Sequence, residues 1–164
     1  LVRTREARRE PAGINGLVIE VSALTQSDAL LHGVRLSLDL AGDLPPAVVD
    51  GIQIQQVLLN LIHNAIEALA SDVEGAGEVN VQSRRTASGE IELAVVDNGP
   101  GVDPSIAQRL FDPFCTTKEQ GTGLGLAISR TIAEAHRGRL ELRPNVPRGA
   151  CFVLTLPADR EAMP

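Results

Sequence analysis

Aromatic and sulfur-bearing side chains are scarce in this 164-residue chain: it has three phenylalanines, no tryptophan or tyrosine, two cysteines and one methionine. Cys115 and Cys151 match no metal-ligand spacing and stand too far apart in sequence to suggest a local bridge, so both read as reduced packing residues of a cytoplasmic protein. Long apolar runs are missing as well. No stretch reaches the roughly 18 residues of a membrane span, and the basic start lacks the apolar centre of a signal peptide, so a soluble segment is expected, whatever it is attached to. Basic charge is in deficit, with Lys+Arg 15 against Asp+Glu 21 and a net charge of −6. Such a field repels polynucleotides and anionic lipid, and no nucleic-acid partner is expected.

What is present suffices for one domain, which at this length buries about two-thirds of its unfolded surface without a staple. Residues 1–10 hold four arginines and two glutamates and suit an exposed helix end or a linker from something upstream. Ile14, Val18, Val21, Leu24 and Leu31 recur at helical spacing between Gly13 and Leu31, with Gly33 placed as a C-terminal cap. Val34, Leu36, Leu38 and Leu40 alternate with polar residues, the period of a strand with one buried face; residues 41–46 form the turn after it. Ile54, Val57, Leu58, Leu61, Ile62, Ala65 and Leu69 share one arc of a long helix that Asp50 can cap. Val79–Val81 and Ile91–Val95 read as a hairpin turning at Ala87–Gly89. Leu124, Ile128, Ile132 and Ala135 mark a further helix ending near Gly138, before a strand pair at 140–142 and 152–156. Hairpins with helices gathered on one face predict a two-layer α+β sandwich with a mixed, mostly antiparallel sheet.

The chemistry concentrates in a polar helix stripe and two glycine clusters. Gln53, Gln56, Asn60, His63, Asn64 and Glu67 lie opposite the apolar arc, and Asn60 and Asn64, one turn apart, project the same way. A solvated face is the plain explanation, but Asn costs up to about 0.7 kcal/mol in a helix interior where Glu or Lys would serve better. A neutral carboxamide oxygen can instead ligate Mg²⁺ beside a triphosphate, and Asn64 is the expected metal ligand. Asp97 ends an apolar strand just before Gly99 and Gly101, which puts an acceptor suited to an adenine amine at the rim of a pocket; an ordinary Asp-Asn-Gly turn is the alternative. Residues 98–120 exceed the roughly 12–15 residues of a structureless connection and are expected to form a lid with a short helix at 104–110, anchored by Phe111 and Phe114 or merely packed through them. Thr116, Thr117 and Lys118 precede Gly121, Gly123 and Gly125, which lead into a helix whose free N–H groups suit phosphate. Leu126 stands where a dinucleotide fingerprint needs glycine, and no Gly-Lys-Ser/Thr follows, so neither that motif nor a Walker A loop is present.

Taken in order, Gln55 to Ala65, Asp97 to Gly101, Phe111 to Phe114 and Gly121 to Leu126 resemble the N box, first glycine box, F box and second glycine box of the GHKL ATPase and kinase superfamily. The phrases QQVLLNLIHNAIEAL, FDPFCTTK and GTGLGLAISRTIAEAH resemble bacterial sensor histidine kinases, especially those linked to PAS-type sensors. The resemblance covers residues 12–158, leaving 1–11 as the end of a dimerisation helix or linker and 159–164 as a tail. It implies a Bergerat-type fold with ATP beneath a mobile lid. By the same resemblance Asn64 holds Mg²⁺; Asn60, His63, Lys118, Gly121, Thr122, Gly123, Leu124 and Gly125 meet the phosphates; Asp97, with Gly99 and Gly101, takes the adenine; and Thr155 lines its pocket.

No acceptor pattern surrounds His32, His63 or His136, so the phosphorylated histidine is expected upstream, on a dimerisation domain of the same protein, with a response regulator beyond it. The resemblance places a catalytic Glu of the hydrolysing members one turn before the metal-binding Asn, where this chain has Asn60, so attack by water should be slow. This piece is then expected to be a monomer that positions ATP, contributes no catalytic group of its own and does not phosphorylate itself. A nucleotide-binding interaction module without turnover, or an ATPase, are the alternatives.

Overall fold

Asp50 shows how local chemistry starts the main helix. Its Oδ1 accepts the N–H groups of Ile52 at 3.1 Å and Gln53 at 3.2 Å, satisfying amides that no helical carbonyl can reach. The computed structural model describes residues 7–71, 76–115, 124–144 and 148–160. In chain order the elements are β1 (Glu10–Ala12), α1 (Ile14–Leu31), β2 (Val34–Leu40), β3 (Ala47–Val49), α2 (Gly51–Ala70), β4 (Gly77–Arg85), β5 (Ile91–Asp97), α3 (Pro104–Ala107), α4 (Gly125–Ala135), β6 (Arg139–Pro144) and β7 (Ala150–Leu156).

Five strands form one sheet in the order β2-β4-β5-β7-β6; β2 runs parallel to β4 and every other pairing is antiparallel. Strand alternation sends Val79, Val81, Ile91, Leu93, Val95, Leu140, Phe152, Leu154 and Leu156 toward the helices, where they meet the buried arc of α2 from Ile54 to Leu69. Helix α2 packs on β4 and β5, and α4 on β6 and β7. This is the expected two-layer α+β sandwich. No helix among the described residues is long and apolar enough to cross a membrane.

Several expectations need correction. Glu10 and Pro11 belong neither to a helix end nor to a loose linker: β1 pairs antiparallel with β3, Pro11 opposite Val48. The segment before it is docked too, with Arg8 N–H donating to Asp50 Oδ2 at 3.0 Å and the Arg9 guanidinium donating to the Ala135 carbonyl. Leu24 and Leu31 are 76% and 85% exposed, because the buried line of α1 runs through Ile14, Val18, Val21, Thr25 and Ala29. Strand β2 buries only Val34 fully, with Leu36 and Leu40 partly covered, and as an edge strand it is paired on one side only. Helix α3 stops at Ala107 rather than 110.

Buried His136 ties the helices together. Its Nε2 accepts the Asp50 N–H at 3.1 Å while Nδ1–H donates to the Ile132 carbonyl at 2.8 Å, joining the end of α4 to the start of α2. The sheet face away from the helices sets Arg84, Glu92, Glu141 and Arg143 around Ala94 and Val153. Burial alone would push the Glu92 carboxyl up, but hydrogen bonds and charge from Arg143 and Arg84 outweigh it and hold the group below the usual glutamate value.

Candidate functional site

Strand β5 delivers Asp97 to the helical side of the sheet, in line with Ile91, Leu93 and Val95. The carboxylate is buried, and its Oδ1 accepts two backbone amides, Gly99 N–H at 2.9 Å and Ala150 N–H at 3.2 Å. Burial raises its pKa above the ordinary aspartate value and the two amides only partly oppose that. Close backbone approach builds this corner. Gly149 sits at φ +107, and a Cβ there would overlap the Asp97 carbonyl oxygen. Gly101, at φ +78, lies against the Gly149 carbonyl, where a Cβ would stand 3.2 Å from the oxygen. Gly99 has room for no side chain without crowding Asp97 Oδ1 and Leu69. Arg148 Nε donates to the Gly99 carbonyl at 2.9 Å, and Asn98 bonds to β4 and its approach, accepting from Glu78 N–H at 2.8 Å and donating to the Ala76 carbonyl at 3.0 Å. Asp97 is thus a fixed, desolvated acceptor rather than a loose turn residue.

Helix α2 forms the second half. Gln56, Leu59, Asn60 and His63 face Gly125, Ile128 and Ser129 of α4 across a cavity of about 410 Å³. Asn60 Nδ2 donates to Ser129 Oγ at 3.2 Å, and its amide lies directly on Gly125. His63 is half exposed, with Nδ1 3.2 Å from Asp28 Oδ2 and Nε2 3.1 Å from Glu67 Oε1, so carboxylates of α1 and α2 flank it at the cavity's edge. Asn64 follows Asn60 by one turn and is half-buried. Its neutral oxygen is a hard donor of the kind Mg²⁺ accepts alongside water and phosphate; no group of three or more His, Cys, Asp or Glu side chains poised for a metal occurs among the described residues. Leu69, further along the same helix, touches the Gly99 corner, so α2 spans both halves over about 13 Å between residues 60 and 69.

Leu124 immediately precedes the first turn of α4, where helix geometry leaves backbone N–H groups directed outward. Lys118, Gly121, Thr122 and Gly123 lie outside the described residues, as do Thr116 and Thr117. Phe111 fastens the segment after α3: its ring meets Phe152 edge-on at 6.2 Å, with the Arg130 guanidinium 5.7 Å above it. Phe114 anchors nothing, being 74% exposed with a positive φ of 67°.

Thr155 is not brought to the site. It pairs with Glu92 and Arg139, so it projects from the face away from the helices, and it lies about 17 Å along β7 from Ala150. Asp97 therefore meets the start of that strand, not its end. Ser129, Ala150, Gly149 and Arg148 are the participants that sequence reasoning missed. Only Ser129 left a signal, as a polar residue on the inward face of α4.

Residues 49–160 match the family described as histidine kinase-, DNA gyrase B-, and HSP90-like ATPase. The chain is 36% identical over 163 residues to the C4-dicarboxylate transport sensor protein DctS of Rhodobacter capsulatus, an alignment covering 99% of this chain and 25% of that protein. Its fold is similar to the catalytic domain of histidine kinase ThkA, with a TM-score of 0.80 and 30% identity over 94% of this chain and 99% of that one. It is also similar to full-length ShkA in complex with AMPPNP, with a TM-score of 0.81 and 30% identity over 93% of this chain and 32% of the other. The chain thus spans about a quarter of the curated relative's length.

Proposed function

Because the chain belongs to the histidine kinase-, DNA gyrase B- and HSP90-like ATPase family, we propose that it is the nucleotide-binding catalytic domain of a sensor histidine kinase, residues 12–158 holding ATP for phosphoryl transfer to a histidine on a separate dimerisation domain. The observation that carries this reading is the pairing of a buried acceptor, Asp97, framed by two backbone amides, with the carboxamides of Asn60 and Asn64 on the one helix that spans both halves. Asp97 accepts the adenine amine, and Gly99 and Gly101 let the flat base approach the backbone. The first turn of α4, from Leu124 and Gly125, together with Lys118 and the glycines at 121 and 123, receives the phosphates, and His63 stands at their edge.

Mg²⁺, when bound at Asn64, supplies charge neutralisation on the phosphate oxygens. Everything else asked of this chain is binding and orientation. The position one turn before Asn64 is Asn60, whose carboxamide accepts no proton, so water is not activated from there. The nucleophile comes from the dimerisation domain, and the phosphoryl group passes on to a response regulator. ATP places this work on the cytoplasmic side of any membrane to which the protein is tied.

Mixing the chain with a separately made acceptor-helix fragment and γ-labelled ATP tests the reading. Acid-labile label on a histidine of the fragment is the expected result. Steady phosphate release without transfer would instead make the chain an ATPase, and binding without either would make it a nucleotide-gated interaction module.

A further inference from the structure

Beside the cavity, a polar contact at a buried serine joins α4 to α2, and the nucleotide reading does not use it. Ser129 is 2% exposed, and its Oγ accepts the Asn60 Nδ2–H at 3.2 Å. One turn earlier on α4, Gly125 lies so close that a Cβ would overlap Asn60 Oδ1 and stand 3.0 Å from Cγ and 3.1 Å from Nδ2. Gly125 is an ordinary helical residue with no positive φ, so backbone conformation does not demand glycine there. The flat amide of Asn60 does. Residues 125 and 129 share one face of the helix, and together they grip a single carboxamide from its edge and its plane.

Resting on the nucleotide reading above, we propose that Ser129 is a positioning residue: it locks Asn60 in one rotamer and thereby sets the first turn of α4 in register against the polar stripe of α2. The physical case is economy of freedom. An unanchored Asn in a half-exposed stripe samples several rotamers, and the Asp50–His136 hydrogen bond holds α4 at its C-terminal end, a helix length from its first turn. One directional contact plus one steric stop fixes both the rotamer and that first turn before a ligand arrives. The amides at the start of α4 and the second Nδ2–H of Asn60 then serve the phosphates as one preset unit of donors, while the Asp97 corner, fixed by other strands, does not depend on the contact.

The test compares two ligands on one variant. Ser129→Ala should weaken binding of Mg²⁺–ATP about five- to tenfold, the size of one buried hydrogen bond. Binding of adenosine, which reaches only the Asp97 corner, should remain within about twofold. In an Asn60→Ala background the serine substitution should add almost nothing, because the two residues act as a pair. Gly125→Ala, which displaces the amide from the other side, should reproduce the triphosphate-selective loss and covers the case in which Ser129→Ala does not fold. Equal weakening of adenosine and Mg²⁺–ATP, or full additivity with Asn60→Ala, would overturn the positioning role. Failure of the unaltered chain to bind Mg²⁺–ATP at all would overturn the nucleotide reading itself, a different outcome from wild-type binding that Ser129→Ala leaves unchanged.

Discussion

The two ends of the site are built by different means. At the Asp97 end, backbone amides from β7 and from the loop after β5 converge on one carboxylate oxygen, and glycines let three stretches of chain touch. At the Asn60 end, side chains of two helices meet through one hydrogen bond and one glycine contact. Backbone amides cannot change rotamer, so the first end is preset by the folding of the sheet; the second is set by side chains and by how α4 sits on α2. The contrast suits a ligand with one rigid part to be recognised and one charged part to be positioned.

Gly149→Ala should break the first end most thoroughly. A methyl group at φ +107 is strained, and here it also collides with the Asp97 carbonyl, so the loop and β5 must separate. A loss of about 2–4 kcal/mol is expected, seen as a melting temperature lower by roughly 5–10 °C, with adenosine binding abolished. Retention of both would mean that the corner is far more pliable than its contacts imply.

Asp97→Asn should separate recognition from stability. An asparagine oxygen can still accept from Gly99 and Ala150, so the corner persists, while the buried charge disappears. Nucleotide affinity should fall by about ten- to a hundredfold, the scale of a charge-assisted hydrogen bond. The melting temperature at neutral pH should stay level or rise. A large drop in stability would show that the ionised carboxylate holds the fold together and is no mere acceptor.

Asn64→Ala probes the other end and should cost less, about tenfold in ATP affinity, confined to the part that Mg²⁺ adds. Calorimetry with and without the metal reads it directly. Unchanged magnesium dependence would remove Asn64 as the ligand.

How far the sequence foretold these two ends follows from the range of the forces involved. The arc from Ile54 to Leu69 and the alternation in β5 are local patterns, and both elements stand where those patterns put them. Asp97 was legible for the same reason, as the last residue of an apolar strand before glycines. Its partner Ala150 was not, because nothing local ties residues 53 positions apart. Strands β1 and β3 are too short to carry a period. Thr155 was placed by analogy, although alternation alone puts it on the opposite face from Leu154 and Leu156. Leu24 and Leu31 misled because helical spacing permits more than one apolar line, and smaller Thr25 and Ala29 fill the one that α2 covers.

The subtlest test of the contrast is titration, because Asp97 ionises and the carboxamides do not. Burial raises the Asp97 pKa above the usual 3.8, against the partial opposition of the Gly99 and Ala150 amides. The folded chain therefore binds this proton more tightly than the unfolded chain does. The stabilisation that follows is full below 3.8 and is lost as pH rises through the folded-state value; at neutral pH the ionised, desolvated carboxylate is a standing cost to the fold. Base recognition runs the opposite way, since the amine is held most strongly by the ionised acceptor. On acidification from neutrality, adenosine affinity should decline a few-fold at a pH still above 3.8, and the decline should vanish in Asp97→Asn. The difference between the two profiles isolates this one group from other titrations. Parallel profiles would place the pH dependence elsewhere and leave the Asp97 end as unresponsive to protons as the Asn60 end.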